Sequence, residues 1–233
     1  MSSRWSAVMG TMRTFILLSL FIGIIFNYIF LRKNKIEKNY IFLFSLMIIS
    51  FSIIGGILIN SLLSSNKDLS LTNIGLTSYG GAIGVIAAAI IFEKICPKNG
   101  VFIKGAIISL PLIYSISKLA CFFAGCCYGL PCNSFFCVKY TAGLNIPLVP
   151  IQLIETIMFM LVFISCVYIQ KNKNVVAITI ILSAFTKFVL DFLRFNHLKE
   201  IISKNQIISV MFMIIGIVIL IKNNKKKEIS NGK

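Results

Sequence analysis

Five charged residues stand within or at the end of stretches that are otherwise apolar: Lys118, Glu155, Lys187, Asp191 and Arg194. A lysine or arginine near the centre of a membrane helix costs about 2.5–3.5 kcal/mol on insertion scales, so it faces a bundle interior, pairs with an acid, or does both. Lys187, Asp191 and Arg194 fall at i, i+4 and i+7, which makes Asp191 the expected partner along one helical stripe able to satisfy its own charges. Tyr79 precedes Gly80 and Gly81, and Gly80 pairs with Gly84 in a G-x-x-x-G pattern. The pattern means close helix packing, while a glycine surface beside a phenolic hydroxyl also lets a substrate approach closely.

The densest group of reactive types is the stretch 117–129, S-K-L-A-C-F-F-A-G-C-C-Y-G. Lys118, Cys121, Phe122 and Gly125 at i, i+3, i+4 and i+7 predict one shared helical face. Cys121, Cys126, Cys127, Cys132 and Cys137 lie within seventeen residues. Their spacing is neither C-x-x-C nor a regular zinc or iron–sulfur pattern, and no metal centre is expected. A disulfide among the loop cysteines requires an oxidising exterior. Cys96 and Cys166 read as small packing residues, and Cys121 as either packing or part of a site.

The elements that must hold these residues are membrane helices. Of 233 residues, 58% are hydrophobic and 13% charged, against roughly 25% charged in an average soluble domain. A helix needs about 20 residues to span. Such runs occupy approximately 14–31, 40–63, 73–92, 104–127, 150–169, 174–193 and 206–221. The expected fold is all-α, a polytopic bundle of about seven transmembrane helices forming a single integral membrane domain over 1–233. Arg4 and Arg13 ahead of the first run would suit a secretory signal. Its apolar length exceeds an ordinary h-region and no small-x-small cleavage site follows, so it reads as a retained span, with Trp5 at headgroup level.

A net charge of +16 would suit nucleic acid if it lay on a soluble folded surface. Here the cations cluster between apolar runs, which suits lipid headgroups and membrane topology, and no nucleic-acid partner is expected. Fourteen fall on one side of the alternating spans, at positions 32–38, 94–104, 171–173 and in the basic tail 222–233. Six fall on the other: Arg4, Arg13, Lys67, Lys139, Lys199 and Lys204. The positive-inside rule then places the N-terminus outside and the C-terminus in the cytoplasm. With that topology Tyr79, Lys118, Glu155, Lys187, Asp191 and Arg194 share the outer-leaflet half. A site opening to the outer leaflet requires this arrangement, and a ring of structural ion pairs would share it.

Four blocks carry a resemblance. They are Tyr79-Gly80-Gly81-x-x-Gly84, Lys118-Leu119-Ala120-Cys121-Phe122-x-Ala124-Gly125-x-x-Tyr128-Gly129, Pro150-x-Gln152-Leu153-x-Glu155, and Asp191-Phe192-Leu193-Arg194. In this order, over 71–194, they resemble the prolipoprotein diacylglyceryl transferase family. That family transfers a diacylglyceryl group from phosphatidylglycerol to the lipobox cysteine thiol of prolipoproteins, at the outer face of the bacterial plasma membrane. The chemistry needs a phosphate binder for the departing glycerol phosphate and help in forming a thiolate.

The resemblance implies catalytic roles for Tyr79, Lys118 and Lys187. It implies substrate binding by Gly80, Gly81, Cys121, Gly129, Glu155, Asp191 and Arg194. Lys118 and Lys187 stand at the positions of two family arginines and would hold the lipid phosphate, with Asp191 and Glu155 positioning them. Arg194 would face the headgroup level, and Tyr79 the acceptor or glycerol. Tyr79 stands where the family has histidine, Cys121 where it has asparagine, Cys126 where it has glutamate, and Val149 where a histidine precedes the proline. Lysine supplies a point charge without the bidentate fork of arginine. Tyrosine acts as a base only if its pKa near 10 falls far. His197 reads as an interfacial residue. The expected partners are phosphatidylglycerol, lipobox-containing prolipoproteins and membrane lipids, with no cofactor. A divergent homologue acting on another thiol or lipid, and a non-catalytic lipid-binding or transport protein, are the alternative readings.

Overall fold

Apolar runs bounded by short polar connections close their backbone hydrogen bonds internally, and in this chain they do so as helices. The computed structural model describes residues 2–63, 78–140, 146–198 and 201–231, leaving out the side chains of residues 2–13, 60, 63, 78 and 226–231. The expected start of the third span, Lys67, Lys199 and Lys233 lie outside the described residues, as do the side chains of Arg4, Trp5, Arg13, Lys226 and Lys227.

Among the described residues seven α-helices follow in order: α1 Ser2–Lys33, α2 Lys38–Leu63, α3 Ser78–Ile95, α4 Val101–Phe123, α5 Ile151–Tyr168, α6 Val175–Asp191 and α7 Lys204–Asn231. A 3₁₀ turn, Phe195–Leu198, follows α6. Among the described residues there is no strand, only isolated bridges such as Gly129 with Arg194. Five helices, α1, α2, α4, α5 and α7, contain segments long and apolar enough to cross a membrane. The protein is thus all-helical and multi-pass. The other two of the expected seven spans correspond to α3 and α6, of 18 and 17 residues.

The chain packs as two compact units, one of Leu20–Leu110 and one of Met1–Ser19 with Pro111–Lys233. One boundary falls between Ser19 and Leu20 inside α1, and the other at Pro111 inside α4, where the missing N–H removes one rung of the helix ladder.

In the first unit α2 and α3 meet backbone to backbone. A Cβ at Gly80 would collide with the carbonyl oxygen of Gly55, and one at Gly84 with that of Phe51. Phe44, Phe92 and Phe102 pack with ring centroids 4.8–5.1 Å apart. Glu93 caps the start of α4 from a distance, its carboxylate accepting the N–H groups of Lys98 (2.7 Å), Gly100 (2.8 Å) and Phe102 (3.1 Å). An anion satisfies the orphan donors of a helix N-terminus well.

In the second unit α4 and α5 are stitched by Ser115, which donates to the Thr156 carbonyl at 2.8 Å, and by Thr156, which donates to the Ser115 carbonyl at 3.2 Å. Gly216 of α7 lies against Ile181 and the Ala177 carbonyl of α6. Ser203 and Gln206 open α7 with a reciprocal capping box: the Ser203 hydroxyl accepts the Gln206 N–H at 3.1 Å, and the Gln206 side chain accepts the Ser203 N–H at 3.0 Å.

Two helix ends fall earlier than the apolar pattern predicts. α4 stops at Phe123 because Gly125 enters the left-handed region at φ +63°. The Gly125 N–H then bonds the Phe122 carbonyl and the Cys126 N–H the Cys121 carbonyl, both at 3.1 Å, which is the Schellman arrangement. Gly125 therefore does not share the helical face of Lys118 and Cys121. α6 likewise ends at Asp191, so Arg194 does not continue its stripe.

Candidate functional site

Glu155 sits in the second turn of α5 and is fully buried. An isolated carboxylate there would be prohibitive; this one gathers three cations. Lys118 of α4 places Nζ 3.1 Å from Oε2, and Lys187 of α6 places Nζ 2.6 Å from Oε1. Arg194 donates from Nη2 to Oε1 at 3.0 Å and to Oε2 at 3.2 Å. The cations are themselves nearly enclosed, with side chains 9%, 7% and 13% exposed. Tyr114, one turn before Lys118, completes the group. Its hydroxyl lies 3.4 Å from Glu155 Oε1, and its ring faces Lys118 Nζ at 4.9 Å and Lys187 Nζ at 5.4 Å from the centroid.

This geometry corrects the expected pairing along one helix. Lys187 is neutralised by Glu155, 32 residues away on α5, rather than by Asp191. Asp191 serves Arg194, whose Nε lies 3.3 Å from Oδ1. It also accepts from the Ser203 hydroxyl at Oδ2 and from Asn205 Nδ2 at Oδ1, 3.2 Å. The α7 capping box thus fixes the acid that orients the guanidinium. His197 turns its Nε2 to 3.6 Å from Asp191 Oδ2 and rests on Phe192.

Gly129 is placed by crowding. A Cβ there would lie 2.7 Å from the Leu193 carbonyl oxygen and 2.8 Å from Val149, so only glycine lets these segments cross. The crossing is tied by Gly129 N–H to the Val149 carbonyl and by Leu130 N–H to the Leu193 carbonyl, both 2.9 Å. It delivers Arg194 to Glu155. Gln152, fully buried, accepts from the Tyr140 hydroxyl at 2.9 Å and donates to the Cys126 carbonyl.

Cys121, Cys126 and Cys127 bring their sulfurs within 4.8 Å of one another. Hydrogen bonds from Cys121 and Cys126, aided by the charges of Lys118 and Arg194, pull the Cys127 thiol well below its ordinary range. Cys132 and Cys137 are joined as a disulfide, and Cys166 is buried in the core.

Of the residues the sequence singled out, Lys118, Glu155, Lys187 and Arg194 are in direct contact, Asp191 and Gly129 adjoin them, and Cys121 belongs to the thiol group. Tyr79, Gly80 and Gly81 belong to the Leu20–Leu110 unit, where Gly80 packs on Gly55 and Gly81 faces Ser52. Sequence reading missed Tyr114, Ser203 and Asn205. The i, i+4 spacing of Tyr114 and Lys118, and the S-x-x-Q of the capping box, are the signals that would have found the first two.

The family model for prolipoprotein diacylglyceryl transferases matches residues 11–222. A phosphatidylglycerol–prolipoprotein diacylglyceryl transferase of Clostridium tetani is 28% identical over 216 residues, covering 84% of this chain and 86% of its own length. Transferase 2 of that name from Clostridium perfringens is 30% identical over 51% of this chain and 50% of its own. The similarly named protein of Dehalococcoides mccartyi is 24% identical over 71% and 68%.

Proposed function

Because the chain belongs to the prolipoprotein diacylglyceryl transferase family, we propose that it transfers a diacylglyceryl group from phosphatidylglycerol to the lipobox cysteine thiol of prolipoproteins. The observation that carries this reading is the convergence of Lys118, Lys187 and Arg194 on Glu155. With Asp191, three cations face two carboxylates, leaving one positive charge in a water-poor setting. The single negative charge of a phosphodiester completes it.

In the transfer, the acceptor sulfur, having lost its proton, bonds to the terminal glyceryl carbon. The bond from that carbon to the phosphate oxygen breaks, and its electron pair leaves with glycerol phosphate. Charge therefore builds on the phosphate as the bond breaks, and fixed cations stabilise that state more than the ground state. Lys118 and Lys187 hold the phosphate, Glu155 fixes their ammonium groups, and Arg194 is aimed by Asp191.

Transfer of labelled diacylglycerol to a lipobox peptide tests this. Lys118→Ala and Lys187→Ala each lower the rate by roughly 100- to 1000-fold, while the arginine substitutions retain transfer. Full activity in either alanine variant removes the phosphate-holding role. Mass spectrometry of the lipid products separates diacylglyceryl transfer from modification of another acceptor and from binding without turnover.

A further inference from the structure

The thiol group of Cys121, Cys126 and Cys127 is not used by the transfer chemistry above. Its construction is nonetheless specific. In a Schellman helix end the residues three before and two after the cap face each other, normally with apolar side chains. Here those two positions are Cys121 and Cys126, brought together by Gly125 at φ +63°. Cys127 then takes φ +57°, rare for a residue with a side chain, and the third sulfur joins the first two. Cys121 and Cys126 are half-buried and Cys127 is exposed, so the group is reachable from outside.

We propose that these cysteines form a three-sulfur site for one thiophilic closed-shell cation, copper(I) or zinc(II). Thiolate donors select these ions. One ion about 2.3 Å from each sulfur would set the sulfurs about 3.8 Å apart, and the observed spread within 4.8 Å closes by side-chain rotation. Three sulfurs complete a trigonal copper(I) site. Zinc would take a fourth, solvent-side ligand next to exposed Cys127. Three thiolates exceed the charge of either ion, and the excess lies beside exposed Cys127, where solvent screens it. The linear spacing hid the site because the chain reverses at Gly125.

The test uses the full chain, purified in detergent, with Cys132–Cys137 intact and metals stripped. Zinc is titrated against a chromophoric chelator, and copper(I) in a separate arm against bicinchoninate, with bound metal measured per chain. The expected result is one equivalent in at least one arm, weakened more than about tenfold in Cys126→Ser and in Cys127→Ser. Loss of a neighbour of a ligand already costs 10- to 100-fold, and loss of a ligand costs more. A Cys132→Ser/Cys137→Ser variant keeps the binding. Substoichiometric metal in both arms of the wild-type protein overturns the proposal. So does unchanged affinity in the two single variants, or binding lost only in the double variant. The wild-type stoichiometry decides the case even if a variant fails to fold.

Discussion

Glu155 holds three cations on one carboxylate, and each would be costly without it. Removing one partner of a buried ion pair leaves uncompensated charge worth about 3–5 kcal/mol. Glu155→Ala should therefore lower the melting temperature in detergent sharply, and Glu155→Gln less, since the amide oxygen still accepts. An alanine variant that melts with the wild type would show that the cations are neutralised elsewhere. Tyr114→Phe keeps the ring beneath both ammonium groups and gives up the 3.4 Å contact to Glu155, long for a hydroxyl hydrogen bond, so activity should stay within about twofold. Tyr114→Leu removes the ring and should raise the KM for phosphatidylglycerol severalfold; equal kinetics of the two variants would refute a role for the ring. The five charges were legible in the sequence because an apolar stretch makes a charge conspicuous. Of their pairing, only Asp191 with Arg194 was legible. Counting i, i+4 and i+7 assumes that α6 continues to Arg194, yet it ends at Asp191. The partner of Lys187 comes from another helix, a choice that only tertiary packing makes.

At the scale of elements, the same glycine pattern had two sequence readings, and packing occupies much of it. Gly80 and Gly84 give α3 a face without side chains, and the α2 backbone fills it at Gly55 and Phe51. Because the obstructing atoms are backbone, an added methyl cannot be absorbed by a rotamer change. Gly84→Ala should therefore destabilise the protein by about 1–3 kcal/mol, read as earlier melting in detergent. Gly81→Ala, whose Cβ would meet Ser52 Oγ at an ordinary 3.4 Å, should melt close to wild type. Equal melting of all three proteins would mean that the two helices do not pack this tightly. Helix ends were the least legible feature. The apolar pattern runs through Ala124 and past Asp191, whereas the stops are set by a left-handed Gly125 and by the turn that crosses Gly129.

At the scale of the whole molecule, the direction in which the site faces is decided by charges remote from it. Lys118 lies toward the C-terminal end of α4, Glu155 near the start of α5 and Lys187 toward the end of α6, so the three meet at one level of their unit. Lys171 and Lys173 occupy the α5–α6 connection at the opposite ends of these helices, and the basic last turns of α7, from Lys222, reach that same side, where Asn174 Nδ2 donates to Asn224 Oδ1 at 3.0 Å. Cationic connections stay on the cytoplasmic side during insertion, where anionic lipids also favour them. The site is therefore proposed to face outward, where a secreted acceptor thiol would arrive. A green fluorescent protein fused after Lys233 should fluoresce, and alkaline phosphatase fused after Lys139 should be active, because the first folds in the cytoplasm and the second only outside it. The opposite pair of results would turn the site inward and remove the charge-count argument. If instead Lys171 and Lys173 are changed to glutamine without altering either reporter, the tail and the remaining connections suffice to set the orientation. That outcome fits a rule that sums cations over all short loops rather than resting on any one.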